Sequence, residues 1–323
     1  MGGGRILFLY ENDATFVRDD LATLRTRYEV NAIRCSSRIS FRTLLRPLRS
    51  SDLSFSWFAL GYAARAVLLG KVLGRPSIVI AGGWDVLGMP EIGYGAARSL
   101  RGRLRARLAV RNADLLLAFS EFSRDTIRTL AGREAHLVYL GVDCDRFRPG
   151  KKEDLVVSVG NITEQNLKRK GMEAFVQAAA HLPGARFILA GRQDPAAITT
   201  LRRLAPPNVE FPGFLPETEL LDLLSRAKVY VQASYNEGFG LAVAEAMSSG
   251  CVPVVTDRGS LPEVVGDAGL YVPFGNPEAT AMAIAKGMES DRSDVARRRI
   301  LTLFPAARRR ERVIELVEGL LGR

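Results

Sequence analysis

The chain has 323 residues, 47% of them hydrophobic and 25% charged, with a formal net charge of +10. That length is beyond what one hydrophobic core usually serves, near ~250–300 residues, so two domains are expected, and the composition excludes a disordered chain. The charge is uneven: residues 1–150 hold 23 Lys and Arg against 14 Asp and Glu, the remainder 22 against 21, so the two halves are expected to meet different partners.

The opening MGGGRILFLY runs straight into a strand, with none of the charged and apolar regions of a secretory leader, and Ile6 stands where a myristoylation pattern needs Ser or Thr. Short apolar runs then predict strands near 5–10, 28–33, 52–56, 77–81, 114–119 and 135–139, alternating with helices near 14–26, 58–73, 97–111 and 121–131. The most apolar segment, Phe55 to Gly74, is broken by Arg65 and Lys71 and falls short of the ~20 residues that span a bilayer. Residues 140–154, LGVDCDRFRPGKKED, lack periodicity and read as a link between domains. The pattern restarts with LVVSVG (strand), GMEAFVQAAAHL (helix), ARFILAG (strand), ETELLDLLSRA (helix), KVYVQAS (strand), a small apolar helix and CVPVVT (strand), and the last stretch is helical with Arg297-Arg298-Arg299 and Arg308-Arg309-Arg310 as solvated runs. Such alternation implies βαβ units and two doubly wound parallel sheets, with ligands expected at the carboxyl ends of the strands. Cys35, Cys144 and Cys251 are far apart and in no CxxC spacing, which favours a reducing compartment and argues against zinc.

The stretch 234–250, SYNEGFGLAVAEAMSSG, contains a residue that packing does not explain. The run from Gly240 to Met247 is small and apolar enough to be buried on nearly every face, yet it carries Glu245. An unpaired carboxylate among Ala, Val and Met would cost several kcal/mol, so Glu245 needs Lys, Arg, backbone N–H or the hydroxyls of a ligand. With the helix starting near Gly238 or Phe239, Glu237 stands at its amino-terminal mouth and Glu245 lies ~9–10 Å along the axis. Glu237 alone would serve as a cap favoured by the helix dipole. The glycines of Glu237-Gly238-Phe239-Gly240 let a ligand approach backbone N–H groups, an anion site suited to a diphosphate, with Glu237 on one side and Glu245 on the other. A nucleotide sugar fits that layout.

The pair Glu237-x7-Glu245 within NEGFGLAVAEAMSSGCVPVV resembles the signature of the retaining family 4 glycosyltransferases, glycosyltransferases group 1. Other stretches match in order across roughly 77–290: LVVSVGNIT...KRKGMEAFVQAA is similar to the family's phosphate-contacting strand, loop and helix, VEFPGFLPETELLDLLSRAKVYVQAS to its base-binding segment, GSLPEVVGDAGLYVP to its post-strand loop, VYLGVDCDRFRP to its interdomain link, and ADLLLAFSEFSRD to the strand ending in Ser120. The resemblance implies an α/β fold of the GT-B kind, two Rossmann-like doubly wound parallel-sheet domains facing a central cleft. Residues 1–150 would bind the acceptor and 151–323 the nucleotide sugar, with the last helix packing back on the first domain. It also implies a hexosyltransferase that uses a UDP- or GDP-sugar as co-substrate, with retention, without a metal or bound cofactor, and without an assigned enzyme nucleophile.

Carried residue by residue, the resemblance has Glu237 holding hydroxyls of the donor sugar, Gly238, Phe239, Gly240 and Leu241 offering backbone N–H groups to sugar and phosphate, and Glu245 accepting from the ribose hydroxyls. Gly160 and Thr163 belong to the phosphate loop, and Phe214 and Leu215 would flank the base. The family's Lys before the helix glycine is Lys170; its Arg after the strand glycine is replaced by Asn161, and Arg169 or Lys168 would supply the missing charge. Glu237, Lys170 and Asp85 are the expected catalytic residues.

On the acceptor side, the loops after strands nominate Asn12 and Thr15, then Gly83, Trp84 and Asp85, then Ser120, with Asp85 beside glycines that leave room for a ligand. Leu100, Leu104 and Leu108 form one apolar stripe in SLRGRLRARLAVRNAD, expected to face the core more than a membrane. Arg101, Arg103, Arg105, Arg107 and Arg111 on that helix, with Arg34, Arg38, Arg42, Arg46 and Arg49 and the pair Trp57-Phe58, give a basic surface suited to an anionic membrane or an acidic acceptor. No helix-turn-helix, RNP-like or zinc-finger pattern points to nucleic acid. A cytoplasmic enzyme, peripheral on the inner face of the membrane, is the expectation. A catalytically silent nucleotide-sugar-binding protein and a sugar phosphorylase on the same fold are the alternatives; a Rossmann oxidoreductase is disfavoured because ENDATF stands where GxGxxG is needed.

Overall fold

The computed structural model describes residues 4–36 and 39–322, so Arg38 of the basic surface lies outside it. The chain divides into two compact units: one runs to Leu140 and resumes at Ala307, and the other is Gly141–Ala306. The division falls at the start of the 140–154 segment rather than at residue 150.

The first unit holds six strands, β1 (Arg5–Tyr10), β2 (Glu29–Arg34), β3 (Leu53–Trp57), β4 (Ser77–Ala81), β5 (Leu115–Ala118) and β6 (His136–Leu137). They form one sheet in the order β2-β1-β3-β4-β5-β6, parallel throughout. β3 and β4 are buried along their whole length, as strands covered on both faces are; β4 reads as the apolar run IVIA after Ser77, whereas β3, LSFSW, buries Ser54 and Ser56 as well. The helices are α1 (Thr15–Arg25), α2 (Phe41–Arg49), α3 (Gly61–Leu73), α4 (Leu100–Asn112) and α5 (Glu121–Ala131). The sequence reading passes over α2, whose arginines and internal Pro47 hide a nine-residue helix capped by Ser40 and seated through Leu44 and Leu48.

The second unit holds β7 (Glu153–Val159), β8 (Arg186–Ala190), β9 (Val209–Gly213), β10 (Ala227–Gln232), β11 (Val252–Val255) and β12 (Leu270–Tyr271), a parallel sheet in the order β12-β11-β10-β7-β8-β9. Its helices are α6 (Glu164–Arg169), α7 (Met172–Ala178), α8 (Pro195–Leu204), α9 (Glu217–Arg226), α10 (Leu241–Ser248), α11 (Leu261–Val265), α12 (Pro277–Met288) and α13 (Ser293–Leu303). From Ala307, the last helix, α14 (Ala306–Leu320), belongs to the first unit. Arg309 anchors it there: Nε and Nη2 donate to the two oxygens of Asp20 at 2.8 and 2.7 Å, Nη1 donates to the Val138 carbonyl at 2.7 Å, and the guanidinium lies over Trp57.

Each sheet reverses its strand order once, between β1 and β3 in the first unit and between β7 and β10 in the second. Ligands of open α/β sheets bind outside the carboxyl ends of strands at such points, because the flanking loops there turn to opposite faces and leave a crevice. Among the described residues, no helix is long and apolar enough to cross a membrane.

Candidate active site

The loops after β7 and β10 bring one carboxylate and two cations together. Glu237 leaves β10 five residues after Gln232, and its Oε1 accepts from Gln232 Nε2 at 2.5 Å and Ser234 Oγ at 3.0 Å. Lys170 Nζ and Arg169 Nη1 each lie 3.4 Å from the same oxygen. Burial alone would push the Glu237 carboxyl up, but Lys170 and Arg169, helped by the Ser234 and Gln232 hydrogen bonds, hold it down at about 2. Burial, with Arg169 beside it, pushes the Lys170 ammonium down, while Glu237 pulls it back up. Two cations thus share one carboxylate in a largely buried place, a local excess of positive charge.

Local chemistry explains the arrangement. Thr163 caps α6 by accepting from Asn166 N–H at 3.2 Å, so its side chain serves the loop that the sequence assigned to phosphate. Asn166 accepts from Arg169 Nε and Nη2, and Arg169 Nη1 also donates to the Asn236 carbonyl at 3.2 Å, which turns Arg169 inward while Lys168 stays exposed. Gly171 then has φ 65°, and a Cβ there would lie 2.1 Å from the Ala233 carbonyl oxygen. Only glycine lets α7 start against the loop that carries Glu237. Behind the site, Tyr230 O–H donates to Gln232 Oε1 at 3.1 Å and receives the Val159 N–H at 3.3 Å. The Tyr230 phenol is pushed up by burial and then by the charges of Glu245 and Glu237.

α10 begins later than expected. Gly240 is its N-cap with φ 86°, so Glu237 belongs to the preceding loop, and Glu245 is the fifth helical residue, ~6 Å from the helix start. Glu245 is half-buried. The Phe239 ring packs edge-on against Phe304, leaving only its backbone to face a ligand, as for Gly238 and Gly240. Leu241 opens the helix and contributes one of its unbonded N–H groups. Ser260 N–H and Oγ both donate to the Glu237 carbonyl at 3.1 Å, and the buried Asn236 leaves its Nδ2 without a partner beside the site. Gly160 ends β7 against the Lys170 side chain, and Phe214 is exposed under the Arg192 guanidinium with Leu215 next to it, half-buried. Gln232, Ser234 and Asn236 escape sequence reasoning, since only the register of β10 brings them to one carboxylate.

The first unit corrects several expectations. Asp85 is fully buried, its Oδ2 accepting from Ala59 N–H at 2.8 Å and its Oδ1 from Gly83 at 2.9 Å and Gly82 at 3.4 Å. It pins the loops after β3 and β4 and presents no atom to an acceptor. Burial pushes its carboxyl up, and these N–H groups pull it back. Ser120 is likewise buried as the cap of α5, with its Oγ on Ser123. Trp57 lies inside the unit, not on a basic surface. The Leu100, Leu104 and Leu108 stripe faces solvent: α4 seats itself through Ala106, Ala109 and Val110 instead. Asn12, Thr15 and Trp84 are exposed, and Gly83 is half-exposed near them. Phe58, after β3, holds φ 70°, a left-handed conformation that a bulky residue takes only under constraint, and it stands at the first sheet's reversal. Glu11, at the end of β1, is half-buried there and went unnoticed in the sequence.

Residues 153–290 match the model of the family described as glycosyl transferases group 1. O-antigen chain mannosyltransferase B of Escherichia coli is 39% identical over 83 residues, 26% of this chain and 22% of that protein. MMP alpha-(1->4)-mannosyltransferase of Mycolicibacterium hassiacum is 30% identical over 220 residues, 62% of this chain and 53% of that one. The chain thus spans about half, or less, of the length of these curated relatives. Among solved structures, HepE of Anabaena in complex with UDP and glucose superposes with a TM-score of 0.82 over 98% of this chain and 100% of that one, at 18% identity. Two Rossmann-like units of six parallel strands are the GT-B architecture. The family match lies within the second unit and covers less than half of the chain.

Proposed function

We propose that this chain is a glycosyltransferase that moves a hexose from a nucleoside diphosphate sugar, with retention of configuration, onto a saccharide, lipid or small-molecule acceptor. The observation that carries the reading is the meeting of Glu237 with Lys170 and Arg169 at the strand reversal of the second sheet, just ahead of α10. Breaking the C1–O bond of the donor drives negative charge onto the diphosphate. Lys170, Arg169 and the first N–H groups of α10 are preorganised to receive it, which lowers the barrier because no dipole has to reorient. The reaction as we propose it draws its charge compensation from these groups and is metal-independent. Glu237 would hold sugar hydroxyls, Glu245 would accept from the ribose, and Phe214 and Leu215 would border the base. The similarity to two mannosyltransferases and the UDP bound by HepE support a nucleotide sugar, with UDP- and GDP-hexoses the first donors to try.

Melting shifts with UDP, GDP and ADP identify the base, since a ligand that binds only the folded state stabilises it by RT ln(1 + [L]/Kd). Transfer or hydrolysis of the matching sugar then separates a transferase from a silent binding protein, and release of a hexose 1-phosphate from a glycoside and phosphate would mark a phosphorylase. No shift with any of the three nucleotides would sink the reading.

A second reading concerns where the acceptor lies. Leu100, Leu104 and Leu108 form an exposed ridge along α4, with Arg103 and Arg107 on one flank and Arg101 and Arg105 on the other. A leucine ridge between arginines is the layout of an interfacial helix. We infer that α4 rests on an anionic lipid surface, with the enzyme peripheral on the cytoplasmic face.

A further inference from the structure

A recess of about 560 Å³ opens in the first unit beside the reversal between β1 and β3, lined by Glu11, Gly61, Trp84, Arg98, Arg101 and Arg105 among others. Its volume is in the ~300–1,000 Å³ range of small-molecule sites. We propose that this recess is the acceptor subsite and that it takes a phosphate-bearing acceptor, the phosphate on Arg98, Arg101 and Arg105 and a sugar or polyol ring against Trp84. The inference rests on the glycosyltransferase reading for its role and on the recess itself for its chemistry.

Three guanidiniums stand against one carboxylate in the lining, and none of the three has an ion-pair or hydrogen-bond partner among the described residues. Elsewhere in the chain, arginines are commonly paired, as Arg186 with Glu210 and Arg226 with Glu153 and Asp222, so an unpaired trio around one hollow is a distinct feature. Arg101 and Arg105 are one turn apart on α4 and point to one flank. Guanidinium forks match phosphate oxygens two at a time, which a single ammonium cannot do.

The walls are already built. Ala96 N–H donates to the Trp84 carbonyl at 2.6 Å, and Ala97 N–H to the Leu87 carbonyl at 2.9 Å, which ties the Trp84 loop to the turn bearing Arg98. Gly102 brings the first turn of α4 onto that turn: a Cβ there would lie 1.9 Å from the Ala96 carbonyl oxygen. Arg105 extends its stem over Gly61, where a Cβ would come 3.4 Å from Arg105 Cδ. Trp84 is 42% exposed, a flat apolar face with no aromatic neighbour stacked on it among the described residues. Glu11 supplies a carboxyl acceptor for a ring hydroxyl, and burial pushes that carboxyl up.

The test measures binding of glucose 6-phosphate, glucose and inorganic phosphate by calorimetry, to the full chain and to R101Q/R105Q, with R202Q/R203Q as a control that removes the same charge from exposed positions of α8. We expect glucose 6-phosphate to bind more tightly than either part, and R101Q/R105Q to weaken it about tenfold or more while the control leaves it unchanged. Co-sedimentation with phosphatidylglycerol against phosphatidylcholine vesicles separates the sources of the phosphate. If glucose 6-phosphate fails while R101Q/R105Q, and not the control, releases the protein from anionic vesicles, the two arginines serve the lipid-facing flank of α4 and the recess is overturned as an acceptor subsite. Equal losses in both double variants, or no binding to either probe, would overturn the site. UDP binding is followed in parallel: its persistence in R101Q/R105Q shows that the variant is folded, and its absence from the unaltered chain defeats the transferase reading while leaving the phosphate recess standing.

Discussion

Lys170 Nζ and Glu237 Oε1 lie 3.4 Å apart, and Arg169 Nη1 is at the same distance from that oxygen. A single carboxylate does not neutralise two cations, and the proposed diphosphate would complete the charge balance. Lys170→Met should therefore weaken UDP binding and lower kcat by ~10²–10³-fold, the usual loss on removing a preorganised charge-stabilising group. Far-ultraviolet circular dichroism of the variant should be unchanged. Wild-type turnover would remove Lys170 from the machinery.

The same cluster has a pH signature. The Glu237 carboxyl is held at about 2, against an ordinary 4.5, so its ionisation contributes stability that is complete above the ordinary value and is lost as pH falls toward the depressed one. The size is roughly 3 kcal/mol at ~1.4 kcal/mol per unit. Urea unfolding followed from pH ~6 down to ~2.5 should show this loss, and Glu237→Gln should flatten that part of the curve. A parallel slope in the variant would assign the acid sensitivity to other carboxylates.

Arg309→Met should destabilise the first unit by ~3–5 kcal/mol, because it leaves the buried Asp20 carboxylate without its counter-charge. Asp20→Asn/Arg309→Met together should recover part of that loss. Chemical denaturation of the two variants decides it, and a loss below ~1 kcal/mol for the single change would mean that water reaches Asp20.

Gly171→Ala meets both a left-handed φ and the Ala233 carbonyl, so the loop must move. We expect a loss of more than ~1–3 kcal/mol in stability and poorer UDP binding. The comparison is Gly184→Ala, where a Cβ meets nothing within 4 Å.

Leu100→Ser/Leu104→Ser/Leu108→Ser should abolish sedimentation with phosphatidylglycerol vesicles yet leave the melting shift with UDP intact, since all three side chains face away from the packed side of α4. Retained vesicle binding would leave the membrane reading without its apolar half.

Much of the fold was legible because parallel strands covered on both faces are apolar from end to end, as in SIVIA. α2 was not, because Pro47 and four-residue-spaced arginines mask the Leu44 and Leu48 pair that seats it. Periodicity told that Leu100, Leu104 and Leu108 share a face but not which face is covered; the small residues Ala106 and Ala109 let α4 approach its neighbours more closely and won that contact. A polar residue after a strand was read at Asp85 and Ser120 as ligand-facing, whereas the backbone N–H groups of tight loops claimed both. The start of α10 was misplaced by a few residues because nothing in GFG declares which glycine takes the left-handed turn. The pair Lys170 and Glu237 was legible from its motif; the shell of Gln232, Ser234 and Asn236 depended on three-dimensional register.

Tyr230 sits within β10 and touches Glu237 only through Gln232. The aim of the carboxylate is thus fixed from the interior of the sheet, and shaving one oxygen from that phenol would loosen an acidic side chain that the ring itself does not bond. The orientation of Glu237 is in that sense partly written in the strand beneath it.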